Sequence, residues 1–342
     1  MRICIVGAGA IGGYLGARLS IAGEEVTLVA RGAHLDAIRR DGLTLVNADG
    51  SEELARPSRA LAVLDEVGPQ DVVIIALKAN SVPAIAPALR SLYDETTLVV
   101  TAQNGVPWWY FRKLGGEHEG QRIESVDPGG IVESNIDVDR VIGAVVYPAA
   151  ELARPGVIRH IEGDRFTLGE LDGHKTDRVR ALSEVLVRAG LKAPISSRIR
   201  WEMWIKLWGN LAFNPISALT RATLEDVCRD PLTRALASTM MLEAQAIAQQ
   251  LGIHFGIKLE QRIEGAERVG AHKTSMLQDI EAGRPTEVDA IVGAVAELGR
   301  IVGVPTPAID AIYAVTKLLE RSTADRRAQA METPVNDSSI RS

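Results

Sequence analysis

Short apolar runs alternate with helical patterns along the first part of the chain. Residues 2–6, 71–77 and 98–102 are apolar at almost every position, the mark of strands buried on both faces of a parallel sheet. Between them, residues 14–22 repeat apolar positions at helical spacing and are closed by Gly23, and 25–30 follow as another strand. Residues 34–41 read as a short helix, and 43–46 as a strand ending in an Asn-Ala-Asp-Gly turn. Further on, 141–147, 157–161 and 165–169 alternate in the manner of an antiparallel meander, which is expected to extend one edge of a mixed sheet. An amphipathic helix over 176–189 stops at Gly190. From about residue 197 the pattern becomes helical throughout: 198–214, 231–251, 258–271, 286–302 and 307–321, with glycine and proline between them. The expectation is an α/β first domain (1–197), an all-α second domain (198–325) and a polar, flexible tail (326–342). The cleft between two such domains is the default ligand site.

The chain of 342 residues has room for two cores, and its 46% hydrophobic and 24% charged content is ordinary for a soluble globular protein. A net charge of -6 argues against nucleic acid as a main partner. Cys4 and Cys228 stand far apart, with neither a disulfide framework nor metal-ligand spacing, so a reducing cytoplasm is expected and no metal. The chain enters its first strand without the basic region and cleavage site of a signal peptide, and no stretch is apolar for long enough to span a membrane.

Candidate chemistry begins where the first strand ends. Gly7, Ala8, Gly9, Ala10, Ile11 and Gly12 form a G-x-G-x-x-G motif between a strand and a helix, the context that dinucleotide binding requires. Gly7 permits the tight turn, Gly9 lets a pyrophosphate approach the backbone, and Gly12 allows close helix-strand packing. The first domain is therefore read as Rossmann-type. An NAD site usually carries an acidic residue at the end of the second strand; here Arg31 stands there, which suits the 2′-phosphate of NADPH. Lys78 and Asn104 follow the strands at 71–77 and 98–102, where ligands sit in doubly wound sheets. Either could instead cap a turn, as an asparagine before Gly105 often does.

Lys206, Asn210 and Asn214 recur every fourth residue, so a helix stacks them on one face among Trp201, Trp204, Trp208 and Leu211. Desolvating such an ammonium lowers its pKa towards the range of proton transfer, and the amides suit a small polar ligand. The same spacing fits a snorkelling surface lysine with two solvated asparagines. Ser275 and Glu287 belong to a stretch broken by Gly283 and Pro285; Ser275 could be a cap, and Glu287 a carboxylate in the first turn of a helix. The aromatic run 108–111 has no amphipathic period, and a pocket wall, a subunit contact and a lid hinge all remain open for it.

In this order, the segments 7–13, Arg31, Leu77-Lys78, Asn104-Gly105, Lys206 with Asn210 and Asn214, and Ser275 followed twelve residues later by Glu287 resemble the ketopantoate reductase (2-dehydropantoate 2-reductase) family. The resemblance runs from the glycine motif to the helix near 320. It implies a Rossmann-type domain with a helical partner, NADPH as cofactor, and reduction of a 2-oxo acid to its 2-hydroxy acid, ketopantoate above all, in pantothenate and coenzyme A synthesis. It also implies that Lys206 is the general acid and that Glu287 assists it. By the same resemblance, Asn104, Asn210, Asn214 and Ser275 hold the substrate, while Lys78 and Asn104 lie beside the cofactor. Two alternatives accompany this reading. A D-2-hydroxy-acid dehydrogenase of the D-mandelate kind would use NAD on a bulkier 2-oxo acid, which the aromatic run leaves open and Arg31 opposes. A non-catalytic NADP(H)-binding regulator would have lost the acid or the amides, and none is lost here. A monomer and a homodimer both fit.

Overall fold

In the computed structural model, residues 1–332 are described. The chain divides into two compact units, the first from Met1 to Lys206 and the second from Leu207 onward. The first unit begins with β1 (Arg2–Val6), α1 (Ala10–Ile21), β2 (Glu25–Val29), α2 (Gly32–Asp41), β3 (Leu43–Val46), β4 (Glu52–Ala55) and β5 (Arg59–Leu61). It continues with β6 (Val72–Ile75), α3 (Val82–Leu89), β7 (Leu98–Thr101), β8 (Val141–Val146), β9 (Ala149–Arg154), β10 (Val157–Glu162), β11 (Phe166–Glu170) and α4 (Asp177–Arg188). It ends inside α5 (Ile199–Thr220).

Seven strands form the main sheet in the order β11-β8-β7-β6-β1-β2-β5. All are parallel except β11, which runs antiparallel to β8. Ile3, Cys4 and Ile5 of β1 and Val72 to Ile75 of β6 are buried, because helices and loops cover both faces of a parallel sheet. The chain steps from β1 to β2 on one side and resumes with β6 and β7 on the other. The β1/β6 boundary is therefore the point where strand order reverses and where open α/β sheets bind their ligands.

The expected meander is not what forms. β8 and β11 do join the main sheet, but β10 leaves it for a second sheet, β4-β3-β10-β9, where it runs parallel to β3 and antiparallel to β9. An alternating strand satisfies its apolar face equally well on either sheet, so periodicity does not choose its neighbour. The second sheet packs on α1, with Ile158 of β10 in the same core as Ile5 and Leu28.

The second unit holds α6 (Leu224–Arg229), α7 (Pro231–Gln250), α8 (Leu259–Glu267) and α9 (Ser275–Glu281). A π-helical turn (Asp289–Gly293) then runs into α10 (Ala294–Ile301), and α11 (Pro307–Glu332) follows. Several boundaries differ from the sequence expectation. The division between units falls within α5 rather than at 197/198. α5 passes through Pro215 to Thr220; proline in a helix interior costs about 3 kcal/mol, which burial of Phe213, Ile216 and Ala218 around it counters. α6 was not expected, although Thr223 and Asp226 make a capping box for it. α11 continues to Glu332, so the part of the expected tail from 326 to 332 is helical, and the remainder lies outside the described residues. Among the described residues no helix is long and apolar enough to cross a membrane, and no group of His, Cys, Asp and Glu is arranged to hold a metal ion. Cys4 and Cys228 are free and buried, and burial pushes their thiols up to about 12 and about 11.

Candidate active site

The glycine turn sits at the switch point, between β1 and α1. Gly7 has φ +102°, and a Cβ there would lie 2.6 Å from Leu77 Cδ2, so only glycine fits. Gly7 N and Ala8 N donate to Val29 O at 3.2 and 3.0 Å, which ties the turn to the end of β2. At Gly12 a Cβ would lie 2.0 Å from Gly7 O, so α1 can start this close to β1 only without a side chain. At Gly9, by contrast, a Cβ would have nothing within 4 Å, and its backbone (φ -70°, ψ -156°) is open to any residue. No acidic side chain stands in the first turn of α1 and no side chain caps it. The first-turn N–H groups of α1 are therefore left without a side-chain cap at the positive end of the helix. That combination suits a pyrophosphate. Arg31 lies just past β2, exposed, as the residue that precedes α2, where a guanidinium fits a 2′-phosphate.

Lys78 and Asn104 lie beyond β6 and β7. Lys78 is half-buried and starts the short turn Ala79–Ser81, and Gln103 Nε2 donates to Leu77 O at 3.0 Å, joining the two strand ends. Asn104 is more than a turn residue. Its Oδ1 accepts from Lys206 Nζ at 2.6 Å, across 102 positions of sequence. Lys206 Nζ also donates to the carbonyl of Val146, the last residue of β8. The snorkelling reading of Lys206 is thereby corrected: the ammonium is half-buried and held by two strand ends of the main sheet. Asn210 and Asn214 follow at one-turn intervals on α5. Asn210 is half-buried and Asn214 is buried at 6% exposure, so neither is a fully solvated amide.

What presents Lys206 is the aromatic run, whose role the sequence left open. Trp108, Trp109, Tyr110 and Phe111 are all buried, so the run is interior packing and not an exposed contact face. Tyr110 OH accepts from Trp204 Nε1 at 2.7 Å, and burial raises that phenol to about 12. The buried Arg200 donates to the carbonyls of Tyr110 (2.7 Å), Leu171 (2.6 Å) and Arg112 (2.5 Å). Burial lowers the Arg200 pKa, and the three carbonyls satisfy its donors. Arg200 and Trp204 precede Lys206 on the same helix, so these bonds anchor its first turns. Sequence reasoning missed Arg200, whose signal was an arginine among tryptophans at a helix start. Trp204, Trp208 and Leu211 are fully buried, as their spacing predicts.

Ser275 and Glu287 belong to the second unit. Ser275 is the exposed first residue of α9, whose cap is Thr274, its side chain accepting from Leu277 N at 3.3 Å; the cap reading of Ser275 is thus corrected. Glu287 stands just before the π-helical turn, half-buried, and its carbonyl accepts from Ile291 N at 3.0 Å. It therefore precedes the helix rather than lying in its first turn. Its backbone is held from α11: Thr286 N and Oγ1 donate to Glu320 Oε1 at 2.6 and 2.9 Å. Lys317 bridges Glu320 (3.1 Å) to Asp289 (2.9 Å). Burial works against the charged form of Lys317, but these two carboxylates outweigh it and raise its pKa. The structure thus brings Asn104 to Lys206, sets Asn210 and Asn214 on the helix of Lys206, and assigns Ser275 and Glu287 to the other unit.

A glycine cradle at the switch point of a parallel sheet, with a lysine ammonium held at neighbouring strand ends, defines a pyridine-nucleotide-dependent oxidoreductase. Residues 3–173 match the family described as ketopantoate reductase PanE/ApbA, and 198–320 match its C-terminal part. The chain belongs to the ketopantoate reductase family. It is 57% identical over 320 residues to a 2-dehydropantoate 2-reductase of Mesorhizobium japonicum, covering 93% of this chain and 98% of that one. A crystal structure from Ralstonia solanacearum superposes with a TM-score of 0.89 at 43% identity, over 94% of this chain and 98% of the other. D-mandelate dehydrogenase in a ternary structure with NADH and anilino(oxo)acetate shares the fold, with a TM-score of 0.80 at 24% identity over 94% and 99% of the two chains.

Proposed function

We propose that this chain reduces 2-dehydropantoate to pantoate with NADPH, a step of pantothenate and coenzyme A synthesis, in the cytoplasm. Ketopantoate reductases use NADPH, and the open cradle at Gly9 together with the guanidinium of Arg31 fits that cofactor. When bound, NADPH supplies a hydride to the ketone carbon. The chain's part is to manage the oxygen. As negative charge gathers there, the Lys206 ammonium stabilises it and delivers a proton. The observation that carries this reading is the 2.6 Å bond from Lys206 Nζ to Asn104 Oδ1. With the Val146 carbonyl it fixes where the ammonium points before substrate arrives, so the reaction does not have to order a long, flexible side chain. The resemblance supplies the rest of the assignment. Glu287 tunes or orients the ammonium, and Asn104, Asn210, Asn214 and Ser275 give the donors that the substrate's carboxylate and hydroxyl need. Lys78 lies beside cofactor and substrate.

The test is a panel of 2-oxo acids with NADPH and with NADH, followed by loss of the reduced-cofactor absorbance. Ketopantoate with NADPH is expected to give the highest kcat/KM; a preference for phenyl-bearing acids with NADH would replace this reading by that of a D-2-hydroxy-acid dehydrogenase. Lys206→Ala is expected to lower kcat by about 10²–10⁴-fold, the usual contribution of a general acid, with the Kd for NADPH nearly unchanged. A kcat near that of the unsubstituted enzyme would remove Lys206 from its role.

A further inference from the structure

Both ring nitrogens of His34 are in use, and each bonds the backbone of a different element. Gly156 N, in the turn between β9 and β10, donates to Nδ1 at 3.0 Å. An N–H can only donate, so Nδ1 is the acceptor and the proton of the neutral ring sits on Nε2. Nε2 then donates to Ala8 O at 2.7 Å, inside the glycine turn. His34 is half-buried in the first turn of α2, close behind Arg31.

We propose that His34 is a positioning residue for the dinucleotide cradle, a strut that sets the Ala8–Gly9 peptide plane from the far side. In a trans peptide the C=O of one residue and the N–H of the next point in opposite directions, and among the described residues there are no cis peptide bonds. Pulling the Ala8 carbonyl onto Nε2 therefore turns the Gly9 N–H away from α2. Gly9 needs such an external hold. It lacks a side chain, it is the uncapped residue at the start of α1, and nothing packs where its Cβ would be. The bond from Gly156 fixes the ring itself, so the second sheet, through the turn before β10, braces the cradle. With β10 beside β3, parallel and away from the expected meander, Gly156 comes against Ala37 of α2. The inference rests on reading the glycine turn as the dinucleotide site.

Two substitutions separate the two bonds. The amide nitrogen of a glutamine reaches as far as Nε2 and keeps a donor for Ala8. An asparagine ends at the depth of Nδ1, so its oxygen still accepts from Gly156 while Ala8 loses its donor. Each variant keeps one bond, and both are expected to fold with similar small losses in Tm. NADPH binding is read directly, by fluorescence of the bound cofactor without substrate. His34→Asn is expected to raise the Kd for NADPH about tenfold, and its KM likewise, with kcat at saturating NADPH held; His34→Gln stays within about twofold. A merely structural histidine would make Kd follow Tm in both variants alike, and that result, or an unchanged Kd in His34→Asn, overturns the proposal. Failure of the unsubstituted protein to bind NADPH would instead strike the reading beneath it, and the proposal with it.

Discussion

Two glycines three positions apart in one turn should fail in opposite ways when each becomes alanine. At Gly12 the new Cβ would stand 2.0 Å from Gly7 O and 2.9 Å from Ala76 Cβ. The nearest atom is backbone, so α1 must move away from β1, and the cost belongs at the upper end of overpacking, about 3 kcal/mol. For a unit of this size that corresponds to a fall in Tm of about 6–12 °C. At Gly9 the new Cβ would meet nothing within 4 Å, and φ -70° is a conformation that alanine adopts without strain. Gly9→Ala should therefore leave Tm unchanged or raise it slightly, since alanine has less freedom to lose on folding. Its methyl group fills the space through which a pyrophosphate reaches the backbone, so the Kd for NADPH should rise by at least about tenfold. Calorimetry gives the Tm values, and fluorescence of bound NADPH gives the Kd. A Gly9→Ala protein that binds NADPH as tightly as before would refute the cradle; a Gly12→Ala protein with unchanged Tm would refute the packing argument.

Arg31→Ala is expected to weaken NADPH binding by about 10–100-fold, the worth of a charge-assisted bond to phosphate, and to leave NADH unaffected; equal losses with both cofactors would deny it the 2′-phosphate. Arg200→Met leaves the carbonyls of Tyr110, Leu171 and Arg112 buried without their donor, which should cost about 3 kcal/mol or more and lower kcat by loosening the helix that carries Lys206. Arg200→Lys should not restore either property, because one ammonium cannot serve three carbonyls in a fork; a full rescue in melting and turnover would show that charge alone mattered. Burial lowers the pKa of His34 below the ordinary 6.5, with the bond to Ala8 only partly opposing it. The unfolded chain therefore takes up this proton first, and the stability due to neutral His34 is complete above the ordinary value and is lost as pH falls through the folded one. Thermal melts across mildly acid pH should show a steeper decline than those of His34→Gln, and parallel curves would count against it.

Local pattern was enough for much of this protein. Continuous apolar runs marked β1, β6 and β7 because a strand covered on both faces has no polar face to show. The glycine turn was legible because its constraints lie within a few residues: a positive φ at Gly7 and a helix that starts against a strand at Gly12. The four-residue spacing of Lys206, Asn210 and Asn214 likewise gave one helix face, since that period belongs to the backbone itself. Tertiary structure decided what period and burial leave degenerate. The strand at 157–162 had an apolar face that two sheets could cover, and only the path of the chain placed it beside β3. α5 outlasts Pro215 because packing beyond it exceeds a local penalty. Lys206 could have been a solvated surface lysine until Asn104 and Val146 arrived from distant strands to hold it. Arg200 and His34 bond backbone groups far away in sequence, and a backbone group carries no letter by which its partner can be read.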